Sequence, residues 1–227
     1  MRNVPDFLVQ RPPMPTDAAT LRAFDALFDD AVARGPATAI DYRLVAPRWQ
    51  FICHIADTRQ VVLHGSGNDA ITRFEPRQPN DTTEFGNRKA VYAASDGLWP
   101  MYFAILDRDR HAMSLINTSA RLLGDDGSVG EPHYFFSITD RALASAPWRR
   151  GTLYFLPRES FEQQPVMEYG GKRMSISQWA SPEPVVPLAR IEVGPEDFPL
   201  LEAIRGHDYE QVMVRARANP NGFPWVD

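Results

Sequence analysis

The sequence predicts an α+β fold, and three observations carry that expectation. Apolar residues recur at helical spacing early in the chain, at Leu21, Phe24, Leu27, Phe28 and Val32. Two short apolar runs, Val61-Val62-Leu63 and Ala90-Val91-Tyr92-Ala93-Ala94, read as buried strands. The second half is a series of strand-like runs between turn clusters, which suggests an antiparallel or mixed sheet with helices packed on one side.

Taken in order, residues 1–16 carry four prolines and little periodicity, and they read as an extended arm. A single domain is expected over 17–227. Thr16-Asp17 marks an N-cap region, and Gly35-Pro36 stops the amphipathic helix expected over 17–34. Trp49 to Asp57 reads as a short second helix leading into the strand Val61–Leu63. Residues 67–89 are polar and rich in turn residues, a loop long enough to suggest a functional or mobile role. After the strand Val91–Ala94, Ser95-Asp96 resembles an N-cap. Leu98, Met101, Tyr102, Ile105 and Leu106 then form a helical stripe. Later strands are expected at Met113–Ile116, His133–Ile138, Thr152–Leu156, Met174–Trp179 and Leu188–Val193, with turns at 124–127 and 170–171. Glu196 to Ala218 has a helical pattern interrupted near Gly206.

Composition narrows the function classes. A chain of 227 residues with 44% hydrophobic content can bury a core without metals or disulfides. Its formal charge of −5 argues against a broad phosphate-binding surface. The single cysteine, Cys53, lies in an apolar run and reads as an inert core thiol. No apolar run reaches the length of a membrane span. The N-terminus lacks the apolar core of a signal peptide, so the expectation is a cytoplasmic protein. His54, His111, His133 and His207 show no metal-ligand spacing, so no metal is expected. The motifs of P-loops, Rossmann dinucleotide sites and nucleophile elbows are all missing.

The informative segment is Leu63-His64-Gly65-Ser66 at the end of the first strand. Gly65 has no Cβ, so a ligand or another backbone can come close there. With it go Val91-Tyr92-Ala93-Ala94-Ser95, followed by Trp99, Tyr102 and Phe103 on a helix. A third stretch, Ile176-Ser177-Gln178-Trp179-Ala180-Ser181, precedes Pro184-Val185-Val186-Pro187-Leu188-Ala189-Arg190. In this order the three stretches resemble the ADP-ribosyltransferase superfamily, in particular its poly-ADP-ribose-polymerase-like branch, over about residues 58–193. The resemblance implies an ADP-ribosyltransferase-like split β-sandwich with N- and C-terminal helices. It implies NAD as the bound cofactor-substrate and an unidentified macromolecule, protein or nucleic acid, as the acceptor of ADP-ribose.

On that resemblance His64 would hold a ribose hydroxyl, Gly65 the carboxamide, and Tyr92 with Tyr102 or Phe103 the nicotinamide ring. Ser66 would contact the cofactor or simply cap a turn. Arg73, Arg77, Arg88 and Lys89 could reach the pyrophosphate, or be ordinary loop charges. Tyr92 and Trp99 have alternative readings as core residues. Gln178 falls where a catalytic Glu is expected. An amide can hydrogen-bond a ribose hydroxyl, but it supplies neither a full negative charge nor a base. Four readings are therefore open: a binding-only relative, a mechanism in which a polar residue suffices, another carboxylate such as Glu168, Glu183 or Glu84 reaching the site, or an inactivating change.

Overall fold

The computed structural model describes residues 4–79 and 83–226. The chain runs β1 (Val9–Gln10), α1 (Ala18–Ala33), β2 (Thr38–Ala39), α2 (Arg48–Thr58), β3 (Val61–Ser66), β4 (Val91–Ala94) and α3 (Leu98–Ile105). It continues with β5 (Leu115–Leu123), β6 (Val129–Thr139), α4 (Asp140–Ala144), β7 (Gly151–Pro157), β8 (Glu162–Gln163), β9 (Met167–Tyr169), β10 (Lys172–Ile176), β11 (Gln178–Ser181) and β12 (Ala189–Val193). Two 3-10 turns, β13 (Arg205–His207) and α5 (Tyr209–Ala218) close it.

The strands form two sheets. The first is ordered β1-β6-β5-β10-β9, with β13 also on β6. The second is ordered β2-β12-β7-β3-β4-β11-β8. One hydrophobic cluster joins them, from Leu63 and Phe155 of the second sheet to Tyr134, Phe136 and Ile138 of the first. The architecture is therefore mixed α+β with two sheets, and the expected helices α1, α2 and α3 fall within a residue or two of their anticipated bounds.

Local chemistry explains the main elements. The Asp17 side chain accepts a hydrogen bond from the Thr20 amide at 2.8 Å and starts α1. The β9–β10 hairpin turns on Gly170 and Gly171, whose φ values of +56° and +72° suit a two-residue turn and few side chains. Helix α3 is nearly all apolar, and seven of its eight residues are buried, which fits a helix covered on both sides rather than an amphipathic surface one. Its first amides, Leu98 and Trp99, donate to Asp96 Oδ1 at 2.9 and 2.8 Å. The other carboxylate oxygen of Asp96 accepts from the Tyr134 hydroxyl at 2.5 Å. One buried carboxylate thus caps the helix and ties it to the first sheet.

Two expectations, for 174–179 and 196–218, need correction, and two others gain detail. The N-terminal arm contributes a strand, because Val9 and Gln10 pair with Tyr134 and His133 of β6. The strand expected over Met174–Trp179 is two strands in different sheets. At the break, the Ser177 amide donates to Ser119 O and its carbonyl accepts from the Ser95 amide, so one residue bridges both sheets. The helical pattern over 196–218 is helix only from Tyr209. Pro195 and Pro199 limit the preceding segment to 3-10 turns, and Arg205–His207 pairs in parallel with β6. The loop over 67–89 is anchored by bridges between Phe74 and Val185 and between Arg77 and Ala90, while residues 80–82 lie outside the described part of the chain.

Candidate functional site

The strands β3 and β4 share a single residue pair, Leu63 with Ala94, whereas β3 keeps all six of its residues in register with β7. Beyond Leu63 the His64-Gly65-Ser66 edge therefore parts from β4. The His64 imidazole reaches into the opening, and its Nδ1 lies 2.7 Å from the Tyr92 carbonyl oxygen. A carbonyl only accepts, so this contact assigns the proton to Nδ1. The other nitrogen, Nε2, is then a bare acceptor, with no hydrogen-bond partner among the described residues. Burial, together with the positive charge of Arg77, pushes the His64 pKa down and keeps the ring neutral, although its hydrogen bond to Tyr92 acts in the opposite direction. A neutral ring with a free Nε2 is suited to accept a hydrogen bond from a hydroxyl.

Gly65 meets a backbone rather than open space. A Cβ built on it would lie 1.8 Å from the Pro100 carbonyl oxygen of α3 and 2.9 Å from the Ala104 amide nitrogen. Gly151 on β7 would strike the Ala104 carbonyl oxygen at 2.1 Å. The two glycines let α3 lie directly on the sheet. Ser66 Oγ accepts from the Asn68 amide at 3.1 Å, a turn-capping bond. Gly67 lies under the Arg149 guanidinium, which pairs with Asp109 at 2.6 Å. No local sequence pattern announces this clasp on the strand end.

The remaining candidates divide by face. Cross-strand partners share a face of a sheet and successive residues alternate. Gln178 pairs with Ala94, which pairs with Leu63, so all three face the main core and α3. Tyr92 pairs with Ala180 on that same face, against Phe85. His64 leaves the other face, with its ring 4.7 Å from Phe74 and over the cluster that holds Tyr154, Ala93 and Trp179. His64 and Gln178 thus occupy opposite faces of one sheet, on either side of β4, so the structure does not bring them together in one pocket as the resemblance implies. Gln178 is half-buried, and its side-chain amide has no partner among the described residues.

The structure separates the two ring candidates on α3. Tyr102 is fully buried and its hydroxyl donates to Ser137 O at 3.2 Å, so its ring is closed to a ligand. Phe103 is the one residue of α3 that is only half-buried, and it directly precedes the Ala104 amide that borders Gly65. The Tyr92 hydroxyl donates to Phe85 O at 2.8 Å and accepts from the Arg88 amide at 2.9 Å, which fastens the 85–88 turn over the sheet. Trp99 is buried, with its indole N–H donating to Asn117.

The charged candidates are scattered. Arg73 pairs with Glu75 at 2.9 Å and Arg88 with Glu162 at 3.1 Å, while Arg77 acts on His64. Glu168 lies on β9 of the first sheet, Glu183 follows β11 in a turn, and Glu84 sits exposed on the 83–88 turn. No group of three or more His, Cys, Asp or Glu side chains stands together to hold a metal among the described residues. No helix among them is long and apolar enough to cross a membrane.

A separate polar cluster escaped the sequence reading. Both ring nitrogens of buried His207 are within hydrogen-bond distance of serines, Nε2 at 2.6 Å from Ser114 and Nδ1 at 2.7 Å from Ser137. These residues lie far apart along the chain, and the pairing of β6 with both β13 and β5 assembles them. No family model, curated protein or solved structure matches this chain.

Proposed function

We propose that the opening between β3 and β4 binds NAD, and that the chain is an ADP-ribosyltransferase-type protein that transfers ADP-ribose to a macromolecule or cleaves NAD. The observation that carries this reading is the parting of β3 from β4 at His64, with a neutral imidazole presenting a free acceptor. In this reading His64 Nε2 accepts a hydrogen bond from a ribose hydroxyl on one face of the sheet. Gln178, Tyr92 and Phe103 attend the nicotinamide end on the other face, and the backbone of Gly65 lies between them. A dinucleotide has two riboses joined by a pyrophosphate, so it is long enough to reach groups on both faces at the parted strand ends. A ligand confined to one face would meet one set of groups only.

Gln178 favours a second reading of the same site, a module that binds the dinucleotide without turning it over. Its amide can hold a ribose hydroxyl but cannot take a proton. Titration calorimetry with NAD on the wild type and on His64→Ala tests the shared premise. Heat from the wild type and a much weaker signal from the variant are expected. Equal heats, or none from either, would refute it. Gln178→Glu separates the two readings, because a large gain in nicotinamide release identifies a disabled enzyme.

A further inference from the structure

The register of the second sheet brings one carboxylate to the Gln178 face. Ala180 of β11 pairs with Tyr92 on one side and with Glu162 of β8 on the other. Glu162 therefore shares its face with Tyr92, Ala180 and Gln178. Among the described strand residues of β3, β4, β11 and β8 on that face, it is the one acid. Gln178 stands two residues before Ala180, which makes it the diagonal neighbour of Glu162. Such neighbours are about 7–8 Å apart, a gap that long side chains close. Strand β8 ends the sheet, so no further strand covers Glu162, and its side chain is 67% exposed.

Glu162 is also placed by its partner. Arg88 Nη1 lies 3.1 Å from Glu162 Oε2, and the Arg88 guanidinium lies over the Phe85 ring, 4.8 Å from its centroid. The Arg88 backbone is itself fixed, because its amide donates to the Tyr92 hydroxyl. The pair thus ties the carboxylate to the 85–88 turn, whose backbone meets the Tyr92 hydroxyl. The three acids singled out from sequence have no such placement in the ladder.

We propose that Glu162, reaching across from β8, supplies the carboxylate that position 178 lacks. The inference rests on the NAD reading above. In the step, the bond between the ribose C1′ and the nicotinamide nitrogen breaks, and its electron pair leaves with nicotinamide. Positive charge builds on the ribose ring, as in glycoside cleavage. An acceptor hydroxyl or water forms the new C1′–O bond, and its proton passes to Glu162. Gln178 holds the ribose hydroxyl while the neighbouring carboxylate provides the charge and the base.

The test measures NAD binding by calorimetry and nicotinamide release by chromatography, on the wild type, Glu162→Gln, Glu162→Ala and Glu84→Gln. Circular dichroism checks that each variant is folded. Expected are unchanged NAD affinity in Glu162→Gln, a fall in release of roughly 10²–10³-fold, partial recovery of Glu162→Ala by added formate, and little change in Glu84→Gln. Wild-type release retained in Glu162→Gln, a loss confined to Glu84→Gln, or binding without any release by the wild type would overturn the role of Glu162 while leaving the NAD site standing. Absence of NAD binding by the wild type would remove both.

Discussion

Replacing Gly65 with alanine tests why a glycine follows His64. An added Cβ would lie 1.8 Å from the Pro100 carbonyl oxygen, about 1.6 Å short of an ordinary 3.4 Å contact. The obstacle is helix backbone, so no side chain can swing aside. Helix α3 would have to lift off the sheet, yet it is buried along nearly its whole length. Overpacking a core usually costs about 1–3 kcal/mol, and an immovable neighbour places this site at the upper end, near ~3 kcal/mol. For a chain of this size that is a fall in melting temperature of roughly 6–12 °C. Gly151→Ala should do much the same, since its Cβ would lie 2.1 Å from the Ala104 carbonyl oxygen. Gly67→Ala is the contrast, because there the neighbour is the far end of the Arg149 side chain, which can move. Thermal unfolding followed by circular dichroism reads all three. If Gly65→Ala and Gly151→Ala melt within about 2 °C of the wild type, or no lower than Gly67→Ala, the helix does not bear on the sheet as described.

Two further predictions concern buried polar groups. Tyr134→Phe removes the hydroxyl bonded to buried Asp96 at 2.5 Å, and leaving a buried acceptor without its partner costs about 1–3 kcal/mol. Urea unfolding should show that loss, and a change below about 0.5 kcal/mol would mean that the carboxylate is satisfied without it. His64 and His207 both have their pKa lowered by burial from an ordinary value of 6.5, so the unfolded chain binds protons more readily there. Their contribution is fully present above pH 6.5 and is lost as pH falls from there towards the folded values. The urea midpoint should drop between about pH 6.5 and 5, and His64→Gln/His207→Gln should flatten that slope relative to its own value at pH 8; an unchanged slope would refute the assignment.

Much of the fold was legible because it is written in local patterns. The stripe Leu21–Val32, the run Val91–Ala94 and the glycine pair at 170–171 each dictate structure through their own neighbours. What could not be read depends on partners distant in sequence. Nothing near Ser177 announces a change of sheet; the cause lies with Ser119 and Ser95, which take its amide and carbonyl. The helical spacing of Phe198, Leu201 and Ile204 is real, but those positions serve a segment of two 3-10 turns interrupted by Pro199. At the site, adjacency on α3 left Tyr102 and Phe103 equivalent by sequence. Only the approach of Phe136 and Ser137 from the other sheet decides which ring is sealed. Glu162 carries no sequence signal at all, since its place on the Gln178 face follows from a two-residue edge strand and its register.

The alternation of faces sets the strongest constraint on any ligand. A side chain one residue beyond Leu63 and a side chain in line with Leu63 cannot meet over a flat, closed sheet. They can serve one ligand only where the sheet is open, and β3 and β4 are joined by one pair next to that opening. The imidazole bond to Tyr92 O braces the parted strands and at the same time fixes which nitrogen stays free. The bond that makes His64 structural is therefore the one that makes it chemically useful, and replacing it removes both at once. Gln178 has no such bond to lose, so a change there should alter chemistry on one face and leave the ribose contact on the other intact. On the NAD reading, His64→Ala weakens binding of the whole dinucleotide while Gln178→Glu leaves affinity near the wild type. A loss of affinity of equal size in both variants would place the two residues around one moiety, and the crossing of the sheet would be wrong.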